Sequence, residues 1–113
     1  MRDDSERLRD ILEAIERIER HAVRGRDVFV DDELVQTWIV HQLQIIGEAA
    51  RHLSRGFRKR HADPLWPQII AMRHILAHEY FALDAEAVWA MVERDIPTIK
   101  RRVESILREL LIE

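Results

Sequence analysis

The run Leu34-Val35-Gln36-Thr37-Trp38-Ile39-Val40-His41-Gln42-Leu43-Gln44-Ile45-Ile46-Gly47-Glu48-Ala49-Ala50-Arg51-His52-Leu53 decides the fold. Each residue of an α-helix advances about 100° around the axis. On that template Leu34, Val35, Trp38, Ile39, Leu43, Ile45, Ile46, Ala49, Ala50 and Leu53 cover most of the circumference. A helix apolar nearly all round is surrounded by others, so this segment is expected to be the central one, contacted on several sides. Asp31-Asp32-Glu33 place acidic groups at its start, opposing the positive end of the helix dipole. Gly47 costs about 1 kcal/mol against alanine in a helix, which points to close approach of another backbone there. Glu48 beside it is either solvated or salt-bridged, because charged side chains are rarely buried without a partner.

Toward the amino terminus, Leu8, Ile11, Leu12, Ile15, Ile18 and Ala22 recur at three- and four-residue steps, with arginines and carboxylates filling the other face. That is an amphipathic helix, with Asp4 or Ser5 placed to cap its start and Gly25 to end it. Toward the carboxyl terminus, Gly56 is expected to end the central helix. It opens Phe57-Arg58-Lys59-Arg60-His61, a markedly basic run, which reads as a solvated loop or as an RNA-facing patch formed by Arg58, Lys59 and Arg60. Asp63-Pro64 and Pro67 mark the start of a third helix between residues 64 and 67, carrying Trp66, Ile69, Ile70, Met72, Ile75 and Leu76. Asp84 caps a fourth, containing Val88, Trp89 and Val92. Ile96-Pro97 interrupts it, since proline disfavours a helical residue before it, yet Val92, Ile96, Ile99, Val103, Ile106 and Leu110 hold a heptad-like register. The expectation is an all-α, antiparallel bundle of four to five helices forming a single domain over residues 1–113, its last helix kinked or restarted near Pro97.

Composition agrees with that architecture and narrows the chemistry. Of 113 residues, 47% are apolar and 35% charged, with three glycines and three prolines, the profile of a helical globular domain rather than of disorder. There is no cysteine, which removes disulfides and thiolate metal sites and suits a reducing cytoplasm. No uncharged stretch reaches the roughly 20 apolar residues of a membrane helix, so a soluble protein is expected. With 18 basic against 21 acidic residues the formal charge is −3. Nucleic acid would therefore have to be held by a local cluster rather than by bulk positive charge.

One such cluster stands out in Met72-Arg73-His74-Ile75-Leu76-Ala77-His78-Glu79-Tyr80. Arg73 supplies a permanent forked cation, His74 and His78 titrate near neutrality, and Tyr80 offers a phenol. Arg73 and Tyr80, seven apart, share one helix face, with His74 and His78 in a row beside it. Arg73 and His78 lie roughly 140° apart around the axis, so both reach one phosphate only in a frayed helix end or a groove between helices. The plain alternatives are an arginine paired with a carboxylate and a histidine capping a helix end. His74 and His78 have the i, i+4 spacing of metal ligands, but no HExxH pattern surrounds them; no metal and no cofactor is expected. Glycine-rich phosphate loops and GxSxG elbows are absent, which leaves metal-free phosphate chemistry.

Arg73-X4-His78-X-Tyr80, with His74 directly after the arginine, resembles the Arg-X4-His-X-Tyr pattern of the HEPN superfamily, in particular the HepT-like toxins encoded beside a minimal nucleotidyltransferase. Gly47-Glu48-Ala49-Ala50, Trp66 and Phe81-Ala82-Leu83-Asp84 also look like that family. The resemblance implies a metal-independent endoribonuclease assembled as a homodimer, with Arg73 and His78 catalytic in a composite cleft and Glu48 and His74 in support. It also implies a toxin–antitoxin pair, in which the partner nucleotidyltransferase silences the ribonuclease by attaching AMP to Tyr80. Two other classes stay open: a HEPN module that binds nucleotide or partner without cleaving RNA, and a structural helical dimer that supports the nucleotidyltransferase.

Overall fold

The computed structural model describes residues 3–61, 65–78 and 84–112. Among them every regular element is a helix: α1 (Asp4–Ala22), α2 (Arg26–Asp31), α3 (Glu33–Arg51), α4 (Arg55–Arg60), α5 (Leu65–His78), α6 (Ala85–Ala90), a π turn (Met91–Asp95) and α7 (Ile96–Ile112). The expected all-α bundle is what forms, with α3 at its centre, packed most extensively against α1 and α5 while α7 lies along α1. The two short helices α2 and α4 are additions that the apolar pattern did not announce, because six residues carry too little periodicity to register.

The helix starts follow local chemistry. Asp3, not Asp4 or Ser5, caps α1: its carboxylate accepts the Glu6 N–H at 2.8 Å. Asp4 is turned to another use, accepting from the backbone N–H and the hydroxyl of Ser54 at 2.8 and 2.7 Å, which ties the first turn of α1 to the start of α4. Gly25 adopts φ 93°, the left-handed conformation expected after α1. Asp32 caps α3 by accepting from Leu34 and Val35 N–H, and Asp84 caps α6 through Glu86 N–H. Gly56 does not end the central helix. The chain turns after Arg51, Ser54 caps a new helix through Phe57 N–H, and Gly56 sits inside α4. The basic run Arg58, Lys59, Arg60 is therefore helical rather than a loop. Asp63 and Pro64, expected at the start of the third helix, lie outside the described residues, while Pro67 falls in the first turn of α5 as expected.

Near Pro97, where a kink or restart is expected, the winding changes: the π turn ends at Asp95 and α7 begins at Ile96. The Ile96 N–H donates to Met91 O, five residues back, in a π turn that immediately precedes the proline. A proline supplies no N–H and its ring crowds the carbonyl four residues earlier, so one turn of wider winding lets the axis pass through. Val92, Ile96, Ile99, Val103 and Ile106 stay in register and are all buried.

The buried residues form one contiguous cluster drawn from every helix. Leu8, Ile11, Ala14, Ile15 and Ile18 of α1 meet Ile39, Leu43, Ile46 and Ala50 of α3 within it. One stripe of α3 escapes this burial: Leu34 is 83% exposed and Trp38 41% exposed. The helix is contacted on several sides, as expected of a central one, but not on this one. Trp66 and Trp89, by contrast, are buried, and the Trp66 Nε1–H donates to His61 O at 3.0 Å, latching the end of α4 onto α5.

Candidate functional site

The site is built where α3 and α5 come closest. A Cβ added at Gly47 would overlap Arg73 Cβ outright and stand 2.5 Å from Arg73 Cγ and 3.1 Å from its Cα. Only glycine lets the two backbones approach this far, which is the close approach that Gly47 implied. One residue on, Glu48 Oε2 reaches Arg73 Nη2 at 3.2 Å. Glu48 and Arg73, twenty-five positions apart in sequence, thus form an ion pair across the groove between two helices.

Glu48 holds more than Arg73. Its Oε1 accepts from Arg51 Nη2 at 2.8 Å and pairs with His52 Nε2 at 2.8 Å. The Arg51 hydrogen bond foremost, then the His52 hydrogen bond and the nearby Arg51 and Arg73 charges, hold the Glu48 carboxyl down at about 2, against the opposing effect of burial. Arg51 is raised above its ordinary value in return, chiefly by its hydrogen bond to Glu48. The carboxylate stays ionised wherever the protein is folded near neutral pH, as a fixed negative anchor for three basic side chains. Neither Arg51 nor His52 was singled out as a site residue from sequence. Their i+3 and i+4 spacing from Glu48 was the available signal, since residues so spaced are neighbours on a helix surface.

A cavity of about 360 Å³ opens beside the pair, lined by His41, Gln44, Ile45, Glu48 and Arg73. His41 and Gln44 were likewise not anticipated; they lie seven and four residues before Glu48, two turns and one turn up the same face. The Gln44 side-chain amide donates to Leu76 O at 3.5 Å. Leu76 is in the last turn of α5, where carbonyls lack helical partners, so Gln44 fastens that end of the helix to α3. His78 is the last residue of α5, which brings its backbone to that same end. The side chains of His74 and His78, and all of Tyr80, lie outside the described residues, as does Phe81-Ala82-Leu83.

Of the other candidates, Arg58 and Lys59 lie on α4, and Arg60 lines a separate groove with Asp3, Asp4, Arg9, Leu107 and Leu110. The structure does not bring Arg60 to the cavity beside Arg73. Among the described residues no group of three or more histidines and carboxylates is arranged to hold a metal ion, and no helix is long and apolar enough to cross a membrane.

Glu48 and Arg73 thus meet at a glycine-dependent helix crossing, with Arg73-X4-His78 running along one of the two helices. The family model described as ribonuclease HepT-like matches residues 11–106. The chain belongs to the HepT-like ribonuclease family. Its relatives include a probable ribonuclease HepT of Thermococcus cleftensis, 34% identical over 93% of this chain and 96% of that one. A proposed RNase of Methanocaldococcus jannaschii is 34% identical over 69% of this chain and 72% of its own length. Another, from Caldanaerobacter subterraneus, is 36% identical over 72% of each. No solved structure matches. The HepT-like match spans α1 from Ile11, all of α3 and α5, and α7 as far as Ile106, so it covers both helices that build the Glu48–Arg73 pair.

Proposed function

We propose that this chain is an endoribonuclease that cleaves RNA without a metal ion, in which Arg73 holds the scissile phosphate and His78 transfers protons. The observation that carries the reading is the Glu48–Arg73 pair at the mouth of a cavity, in a chain of the HepT-like ribonuclease family. Glu48 engages one edge of the guanidinium, and a planar fork has further N–H donors with which to meet a phosphate oxygen. Holding Arg73 by a carboxylate of fixed charge orients the fork before substrate arrives, which is where electrostatic catalysis gains most.

The reaction in this reading is attack by the ribose 2′-oxygen on phosphorus. A base takes the 2′-hydroxyl proton, the bond from phosphorus to the 5′-oxygen breaks, and an acid protonates that oxygen. The products are a 2′,3′-cyclic phosphate and a 5′-hydroxyl. Each chain supplies one His78, so a two-fold homodimer with both copies facing one cleft provides base and acid from the same residue. His74 supports the site beside Arg73, and Arg58, Lys59 and Arg60 contact RNA farther along the strand.

Regulation follows from Tyr80. A partner nucleotidyltransferase attaches AMP to its hydroxyl, adding a negative charge and an adenosine that oppose the binding of RNA phosphate, and the chain acts as the toxin of a toxin–antitoxin pair. The test is expression of wild type, Arg73→Ala, His78→Ala and Tyr80→Phe with and without the nucleotidyltransferase, reading growth, RNA integrity and intact mass. Arg73→Ala and His78→Ala are expected to fold and lose toxicity. Tyr80→Phe is expected to stay toxic beside the partner and to gain no AMP mass. A fully toxic His78→Ala would refute catalysis by this motif and leave the non-catalytic binding module as the reading. Activity lost with EDTA and restored by magnesium or manganese would refute the metal-free assignment.

A further inference from the structure

The half-exposed stripe of α3 has chemistry of its own. His21, in the last turn of α1, meets Trp38 edge-on, with ring centroids 6.5 Å apart and planes at 75°. His41 is a second ring neighbour, at 6.2 Å and 37°. Both separations fall within the range of interacting aromatic pairs, so the indole is braced by two imidazoles contributed by two helices. It nonetheless leaves 41% of its surface to solvent, while Trp66 and Trp89 keep only 2% and 7%. His41 also lines the cavity that contains Glu48 and Arg73. Trp38, His41, Ile45 and Glu48 follow one another at helical steps of three, four and three, so a single row runs along α3 from the indole to the arginine's anchor.

We propose that Trp38, braced by His21 and His41, is a stacking platform for an unpaired base of single-stranded RNA whose backbone continues into the cavity at Arg73. This deepens the ribonuclease reading and rests on it for the identity of the strand. A formal charge of −3 deprives the chain of the general phosphate attraction that most nucleic-acid binders use. The arginines near His21 add little to it, since Arg17 and Arg20 are paired with Glu13 and Glu16. Stacking on an aromatic face is the other large source of single-strand affinity, and it tolerates any sequence because every base has a π-face. A single phosphate fork with one adjoining stacking face favours a flexible strand whose bases are free, over a duplex whose bases are already stacked.

The test uses the His78→Ala protein, so that strand is bound without being cut, and measures affinity from the fluorescence anisotropy of an end-labelled adenylate RNA of about eight nucleotides, with tryptophan emission of the Trp38-bearing protein as a second readout. Trp38 is the exposed indole, so its emission reports stacking. Quenching is expected, with an abasic strand of the same length and charge binding about tenfold more weakly. Trp38→Ala is expected to lose that factor for the adenylate strand and nothing for the abasic one, and Trp38→Phe, which keeps a ring, to retain most of it. Equal binding of adenylate and abasic strands, or unchanged adenylate binding by Trp38→Ala, would overturn the platform. So would a dimer that becomes a monomer in sedimentation when Trp38 is replaced, because a second copy would then be what covers the stripe. If wild type cuts no RNA while base-dependent binding persists, the ribonuclease reading fails and the platform stands.

Discussion

Replacing Gly47 with alanine tests the geometry on which the site depends. Carbon atoms rest about 3.5–4.0 Å apart. A Cβ at Gly47 would stand 2.5 Å from Arg73 Cγ and 3.1 Å from Arg73 Cα, besides overlapping Arg73 Cβ. The side chain can turn away in part. The Cα is backbone, so α5 itself must recede from α3 by about 0.5 Å. Overpacking costs about 1–3 kcal/mol and sometimes more, and an overlap that includes a Cβ and a backbone Cα belongs at the upper end, about 2–3 kcal/mol, against about 1 kcal/mol gained from alanine's helix propensity. Gly47→Ala is therefore expected to destabilise the fold by about 1–2 kcal/mol, lowering Tm by about 4–10 °C in a chain of this size. Gly56 is the internal control: a Cβ there meets nothing nearer than Arg60 Nη1 at 3.5 Å, so Gly56→Ala should be neutral or stabilising by up to about 1 kcal/mol. Thermal and urea unfolding followed by circular dichroism measure both. Adding Arg73→Gly to Gly47→Ala removes the overlapping atoms, so the double-mutant cycle should show a favourable coupling of about 1 kcal/mol or more. A Gly47→Ala protein as stable as wild type, or a cycle without coupling, would refute the close crossing of α3 and α5.

Glu48, ordinarily near 4.5, is held at about 2 in the fold, so its pairing contributes stability that is complete above pH 4.5 and fades as pH falls from there toward 2. The stability difference between wild type and Glu48→Gln should be constant from about pH 5 to 8 and shrink through that acid window; a difference unchanged at pH 2.5, or an NMR titration of Glu48 centred near its ordinary value, would contradict the pairing. Asp32 accepts from Leu34 N–H at 3.0 Å and Val35 N–H at 3.2 Å, so Asp32→Ala should cost about 1 kcal/mol in urea unfolding. Equal stability would mean that the start of α3 draws nothing from this cap. Arg26 bonds Glu86 through two nitrogens, linking α2 to α6, but both side chains are about half exposed, so Arg26→Ala should cost no more than about 1 kcal/mol. A loss well beyond that would show the pair to be coupled to the packing of the two helices.

The sequence by itself determined the helices, because a 3.6-residue apolar rhythm and capping carboxylates act within one or two turns and need no distant partner. The register from Val92 to Ile106, the caps at Asp32 and Asp84 and the tight approach at Gly47 were legible for that reason. So was the Arg73-X4-His78-X-Tyr80 pattern, which a local string carries in full. Short elements were not: α2 and α4 hold six residues each, and Gly56 reads equally as a terminator or as the second residue of a capped turn. Nor could an apolar wheel say which of its residues would find no neighbour, so the exposure of Leu34 and Trp38 emerged only from the packing. Burial is a property of the surfaces facing a helix, and those come from distant parts of the chain. For the same reason tertiary structure alone decided that Glu48 pairs with Arg73 rather than with solvent, that His41 and Gln44 share their cavity, and that Arg60 borders a different groove. Each of those contacts joins residues far apart in sequence, and only the crossing angle and separation of packed helices bring such residues within a few ångströms.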